Sequence, residues 1–144
     1  MSHADTLEEI RGVKARYCRF LDTKAWDELA GLFTEDATLD VREDTGLPPI
    51  VGRDALVAQI KAAVANARTA HQVHSPEITL LNEHSAEAIW AMQDRVVWAE
   101  GKSPIPPVRA ITGYGHYYEC YARQDGVWRI AALKLARLHV DMED

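Results

Sequence analysis

The sequence predicts an α+β domain in which helices cover one face of a strongly curved, mostly antiparallel sheet. Three observations predict it. Residues 6–67 carry helical spacing with one short β-rich interruption, the chain beyond them reads as four long β-rich runs, and two of the connections between those runs have turn chemistry. Helices gathered ahead of a meander must pack on one face of it, and a bent sheet wrapped that way encloses a conical cavity.

The first helix is expected over residues 6–21, where Leu7, Ile10, Val13, Tyr17, Phe20 and Leu21 recur at intervals of three and four. Thr6 and Glu9 have the capping-box spacing at its start. A second helix over 24–33 carries Trp26, Leu29, Leu32 and Phe33, with Asp22 or Thr23 as its N-cap. Asp22 thereby falls at a helix–helix corner. Residues 37–41 read as a short strand, and 42–52, with two glycines and paired prolines, as an overhanging loop. A third helix over 53–67 gathers Leu56, Val57, Ile60, Ala63 and Val64 on one side.

The β-rich runs are expected at 71–81, 86–99, 108–122 and 127–140. Asn82-Glu83-His84 and Gln124-Asp125-Gly126 supply two turns, the Asp-Gly step being a hairpin signal. Residues 100–107 hold three prolines and a glycine and read as a loop at the sheet edge or pocket rim. In the second run Ala88, Trp90, Met92, Asp94, Val96 and Trp98 share one face. Asp94 is the one charge in that stripe, so inside a cone it must be paired, hydrogen-bonded or protonated. In the last run Trp128, Ile130, Ala132 and Lys134 share one face and Arg129, Ala131, Leu133, Leu135, Arg137 and His139 the other. With both faces apolar in the middle, that strand is expected to be central and covered on both sides, and Lys134 either enters the cavity or snorkels outward.

Composition limits the function classes. At 144 residues the chain fits one domain, 1–144, and 47% hydrophobic with 26% charged residues is ordinary for a globular protein. The net charge of −6, spread along the chain, argues against nucleic acid as a partner. No apolar run approaches the ~20 residues of a membrane span, and MSHADTLEE has no signal-peptide core, so no membrane partner and a cytoplasmic location are expected. Cys18 and Cys120 have no CxxC spacing and read as buried small apolar residues. His71 and His74 form HxxH without a placed third ligand, so no metal is expected.

Three stretches in order, Leu21-Asp22-Thr23-Lys24-Ala25-Trp26-Asp27, Arg68-Thr69-Ala70-His71 and Asp125-Gly126-Val127-Trp128-Arg129-Ile130-Ala131-Ala132-Leu133-Lys134, make nearly the whole chain resemble a known family. It is similar to the SnoaL-like branch of the nuclear-transport-factor-2 superfamily, and within it to scytalone dehydratase and bile-acid 7α-dehydratase. The resemblance implies a cystatin-like cone with three N-terminal helices on a mixed, mostly antiparallel sheet. It also implies a cofactor-independent lyase, a dehydratase or related isomerase, acting on a hydrophobic cyclic hydroxylated small molecule. A non-catalytic binding or assembly module and a polyketide-cyclase-like enzyme are the alternatives, because fold does not fix function.

By the same resemblance the aspartate and histidine that transfer the proton fall on Asp22 and His71. A tyrosine and a second aspartate fall on Tyr17 and Asp94, and a basic residue falls near Lys134 or Arg137. Ligand contacts are expected from Trp90, His74, His116, Tyr118 and Lys134, and the dehydratases it resembles imply a homo-oligomer, trimer or dimer. The chain departs from scytalone dehydratase where water-orienting tyrosines are replaced by Leu21 and Val41 and where Gly115 and Tyr117 stand for a serine and an asparagine. The pair therefore implies proton abstraction more firmly than it implies a substrate.

Overall fold

The chain's first helix starts from Ser2 rather than Thr6. In the structure, a computed structural model describing residues 2–144, the Ser2 hydroxyl accepts the Asp5 N–H at 3.1 Å and the Asp5 carboxylate accepts the Ser2 N–H at 3.3 Å. This closes a capping box ahead of α1 (His3–Asp22). The apolar stripe then behaves as its spacing requires, with Ile10, Val13, Tyr17 and Leu21 all buried. Full burial of such side chains contributes roughly 1.5 to 3 kcal/mol each.

Asp22 closes α1 instead of capping the next helix. Lys24, a non-glycine residue at φ 62°, turns the chain sharply, and α2 (Trp26–Ala30) begins from Ala25 with no side-chain cap. It is much shorter than the spacing suggests because Phe33 is recruited into β1 (Phe33–Asp40), where it is fully buried opposite Ile130. The segment expected as loop contains one turn of helix, α3 (Arg42–Thr45), and a two-residue strand, β2 (Ile50–Val51). Helix α4 (Arg53–Val64) stops short of its expected end because Ala67 opens the sheet's longest run.

Four long strands complete the chain: β3 (Ala67–Asn82), β4 (Ser85–Trp98), β5 (Ala110–Gln124) and β6 (Val127–Glu143). The sheet order is β2-β1-β6-β5-β4-β3. Among the described residues only β1 and β6 run parallel; the other neighbours are antiparallel. The β5–β6 turn places Asp125 at φ 52° and Gly126 at φ 77°, the two positive values a type I′ hairpin demands. The architecture is the expected α+β, nuclear-transport-factor-2-like cone.

Bulges both bend the sheet and reset which face each side chain occupies. Strand β6 carries two: the register skips at Ala131, between Ile130 and Ala132, and at Leu138, between Arg137 and His139. Its inward residues therefore run Trp128, Ile130, then Leu133, Leu135 and Arg137, then Val140 and Met142. The apparent apolarity of both faces comes from these shifts of parity, not from double coverage. Lys134 and His139 are consequently exposed on the outer side. A third bulge, between His74 and Glu77 of β3, falls where Ser75 has φ 47°.

Cys18 is buried as expected, but Cys120 lies on the outer face of β5 and is exposed. The helices, β1 and the inner sheet face share one core. Within it is a buried ion pair, Lys14 with Glu119, at 2.7 Å.

Candidate active site

The corner between α1 and α2 brings Asp22 against the start of β3. There the Asp22 carboxylate is held by three donors from one strand: the His71 ring Nδ1 lies 2.7 Å from Oδ1, the His71 backbone N–H donates to Oδ2 at 2.8 Å, and the Thr69 hydroxyl donates to Oδ1 at 2.9 Å. Lys24 Nζ in turn donates to Thr69 Oγ1 at 2.9 Å, which is where its left-handed backbone delivers it. Burial alone would raise the Asp22 pKa, but the His71 ring, the His71 backbone and Thr69 together hold it below the ordinary carboxylate value. An anionic Asp22 accepts a hydrogen bond from Nδ1, which turns Nε2 away from the carboxylate.

That nitrogen faces Asp94. His71 and Asp94 are opposite partners in the β3–β4 register, and Nε2 stands 4.0 Å from Asp94 Oδ2, with both side chains more than nine-tenths buried. Asp94 is gripped at two points by Arg137, Nη1 to Oδ1 at 2.7 Å and Nη2 to Oδ2 at 3.0 Å. This is the fork geometry of a guanidinium–carboxylate pair, so of the three expected alternatives Asp94 takes the paired one. Asp44 of α3 takes the other edge of Arg137, Nε and Nη2 each at 3.0 Å. Burial works against the Arg137 charge, but the hydrogen bonds it donates to Asp94 and Asp44 outweigh it and hold its pKa well above the ordinary value.

A glycine makes the Asp94–Arg137 contact possible. Gly113 of β5 lies between β4 and β6, opposite both Asp94 and Val140. A Cβ there would stand 2.2 Å from Arg137 Nη1 and 2.4 Å from Asp94 Oδ1. Only a residue without a side chain lets the two groups meet across the strand.

These groups border a cavity of about 730 Å³ inside the cone, within the range that accommodates small organic ligands. Tyr17, His71, Asp94, Tyr117 and Arg137 supply its polar surface, Leu21, Leu39, Leu133, Leu135, Val96 and Ile111 much of its apolar surface, and Glu43, Asp44 and Gln59 its border with the α3 segment and α4. Burial and the neighbouring Cys18 and Glu119 push the Tyr17 phenol up, and burial does the same for Tyr117; both phenols are protonated donors.

The structure thus brings Asp22, His71, Tyr17 and Asp94 into one site and leaves the five expected ligand contacts outside it. Trp90 points inward but lies deeper in the core, where its Nε1 donates to Tyr121 at 3.2 Å. His74, one residue past the inward Val73, is exposed, and Tyr118 and His116 lie on the outer sheet face with ring centroids 6.3 Å apart. Lys134 is turned out by the Ala131 bulge, and Arg137 is the basic residue of β6 that enters. None of the five is among the residues that line the cavity. Thr69 was readable in principle, since it shares strand parity with His71. Asp44 sits in a segment without periodicity, and the role of Gly113 depends on a register that joins three strands. Among the described residues no group of three or more His, Cys, Asp or Glu side chains is arranged to hold a metal ion, and no helix is long and apolar enough to cross a membrane.

Known proteins are similar to this chain in sequence or in architecture. The protein named Probable cyclase FGR4 of Gibberella zeae is 25% identical over 139 residues, covering 90% of this chain and 89% of its own. A candidate scytalone dehydratase from Novosphingobium aromaticivorans superposes with a TM-score of 0.84 at 20% identity, over 98% of this chain and 89% of the other. The type 3 LinA hexachlorocyclohexane dehydrochlorinase of Novosphingobium barchaimii gives 0.81 at 16%, over 97% and 91%. A family model for the SnoaL-like domain matches residues 2–134. With the match running from the capping box of α1 to the middle of β6, the chain belongs to the SnoaL-like domain family.

Proposed function

We propose that this chain is a cofactor-independent lyase, a dehydratase or related isomerase, that removes a proton from a hydrophobic cyclic hydroxylated small molecule. The observation that carries the reading is the Asp22–His71 contact, which commits one imidazole nitrogen to a carboxylate while the ring lines the cavity. In this reading Nε2 takes a proton from a substrate carbon, and the imidazolium, stabilised by Asp22, returns a proton to the leaving hydroxyl, which departs as water. Tyr17 donates to a substrate oxygen as charge develops on it. Asp94, fixed by Arg137, lies close to Nε2 and orients a hydroxyl or a water beside it.

A dehydratase and a dehydrochlorinase among the similar proteins support an elimination, because both names describe loss of a small molecule next to a carbon that gives up a proton. The resemblance to a cyclase favours a second reading, ring closure by the same base. It differs in what the base attacks, not in where the base sits. Tyr114, Tyr118 and Leu138, large side chains left exposed on the sheet strands, support a homo-oligomer, trimer or dimer.

The test is turnover of cyclic β-hydroxy ketones and partly reduced aromatic diols by the purified protein and by His71→Ala and Asp22→Asn. Losses of about 100- to 10,000-fold are expected for His71→Ala. Unchanged turnover of a substrate by both variants would remove His71 as the base.

A further inference from the structure

The Lys14 ammonium is completely buried. Its Nζ pairs with Glu119 Oε2 at 2.7 Å, both side chains being 0% exposed. Glu119 also accepts from the Tyr121 hydroxyl, and Tyr121 accepts from Trp90 Nε1. Replacing such a buried pair by apolar side chains of similar volume is often neutral or stabilising, so stability does not account for it. What the pair adds is a fixed dipole whose positive end, Lys14 Nζ, is held against two rings. Lys14 Nζ lies 3.8 Å from the ring centroid of Tyr17 and 3.6 Å from that of Tyr117. Those rings meet edge to face at 6.0 Å, and both line the cavity, whereas Lys14 does not reach it.

A cation over a phenol ring draws on its π-electrons and makes the hydroxyl a stronger hydrogen-bond donor. The carboxylates near these rings, Glu119 and Asp94, act in the opposite sense on the phenols. The ammonium is the positive group packed against both ring faces. We propose that Lys14 is a positioning residue that polarises Tyr17 and Tyr117 from behind, so that the cavity stabilises an oxygen gaining negative charge, such as a carbonyl oxygen becoming an enolate or a phenol oxygen becoming a phenolate. This rests on the reading of the cavity as a proton-transfer site and extends it to the electrophilic half of the reaction.

The test uses 4-nitrophenol, whose anion absorbs visible light, as a probe of the intact protein. Binding to the wild type is expected to raise the phenolate fraction above that of the free probe at the same pH. Lys14→Met with Glu119→Gln, which removes both charges and keeps an acceptor for Tyr121, is expected to lower the bound anion-to-neutral ratio about tenfold, one pKa unit. In a Tyr17→Phe, Tyr117→Phe background the same change is expected to have no effect, because the cation acts through the phenols. An equal ratio in wild type and Lys14→Met/Glu119→Gln, or no bound anion in the wild type, overturns the proposal. Should that pair of changes prevent folding, Tyr17→Phe/Tyr117→Phe alone decides: an undiminished anion ratio overturns it. His71→Ala leaves the tyrosines in place, so loss of turnover in that variant beside an unbiased wild-type probe would sink this inference while sparing the base.

Discussion

Asp22 and His71 are joined twice, by the ring Nδ1 at 2.7 Å and by the backbone N–H at 2.8 Å. The second contact means that the strand itself, not only the imidazole, is registered on the carboxylate. The remaining donor is Thr69, which shares Oδ1 with the ring. Thr69→Val is therefore expected to lower stability by about 1 kcal/mol, the net worth of one hydrogen bond, and to lower turnover while leaving the His71 backbone contact intact. Urea denaturation and steady-state kinetics check both parts, and a variant as active and stable as wild type would show that Thr69 contributes nothing to holding Asp22.

The depressed Asp22 pKa has a definite sign in stability. A carboxylate whose folded pKa lies below its unfolded value of about 3.9 stabilises the fold at higher pH, and the contribution is lost as pH falls through the folded value. The stability difference between wild type and Asp22→Asn is thus expected to be flat near neutrality and to shrink below about pH 4. Denaturation midpoints across the acid range measure it; a difference that stays constant contradicts the assignment.

Gly113→Ala is expected to break the Asp94–Arg137 pair, since its Cβ would fall 2.2 Å from Nη1. The cost is about 1 to 3 kcal/mol for forced repacking, larger if Asp94 is left unpaired. A crystal structure of the variant should show Arg137 displaced from Asp94, and calorimetry should show a lowered Tm. An unmoved Arg137 would contradict the contact geometry.

The two carboxylates on Arg137 are expected to differ in weight. Arg137→Met strands Asp94, whose side chain is 5% exposed, and should cost about 3 to 5 kcal/mol. Asp44→Asn removes a partner that is 35% exposed, and should cost no more than about 1 kcal/mol. Equal losses in thermal or chemical denaturation would refute this ranking.

Much of the fold could be read from local pattern. The stripe Ile10, Val13, Tyr17, Leu21 and the alternation from Ala88 to Val96 are periodicities of a single element, and each is satisfied by one face of it. Asp94 was legible for the same reason, as a charge in an otherwise apolar stripe. The errors cluster where periodicity is interrupted. The bulges at Ala131 and Leu138 reset the faces that Lys134 and His139 occupy, and no local signal marks where a strand slips by one residue. The Lys24 turn similarly replaced an expected N-cap with a carboxylate aimed at another strand.

The sequence by itself determined the helix-then-meander order and the inward placement of Tyr17 and Asp94, and the resemblance it carries pointed to Asp22 and His71 as partners, which meet at 2.7 Å. Only the tertiary structure decided that Arg137 rather than Lys134 meets Asp94, that Asp44 closes the other edge of the guanidinium, and that Gly113 gives them room. The physical reason is that those contacts join residues from α3, β4, β5 and β6. Their geometry depends on sheet register and bulge position, which are set by the packing of the whole cone and not by any one segment of it.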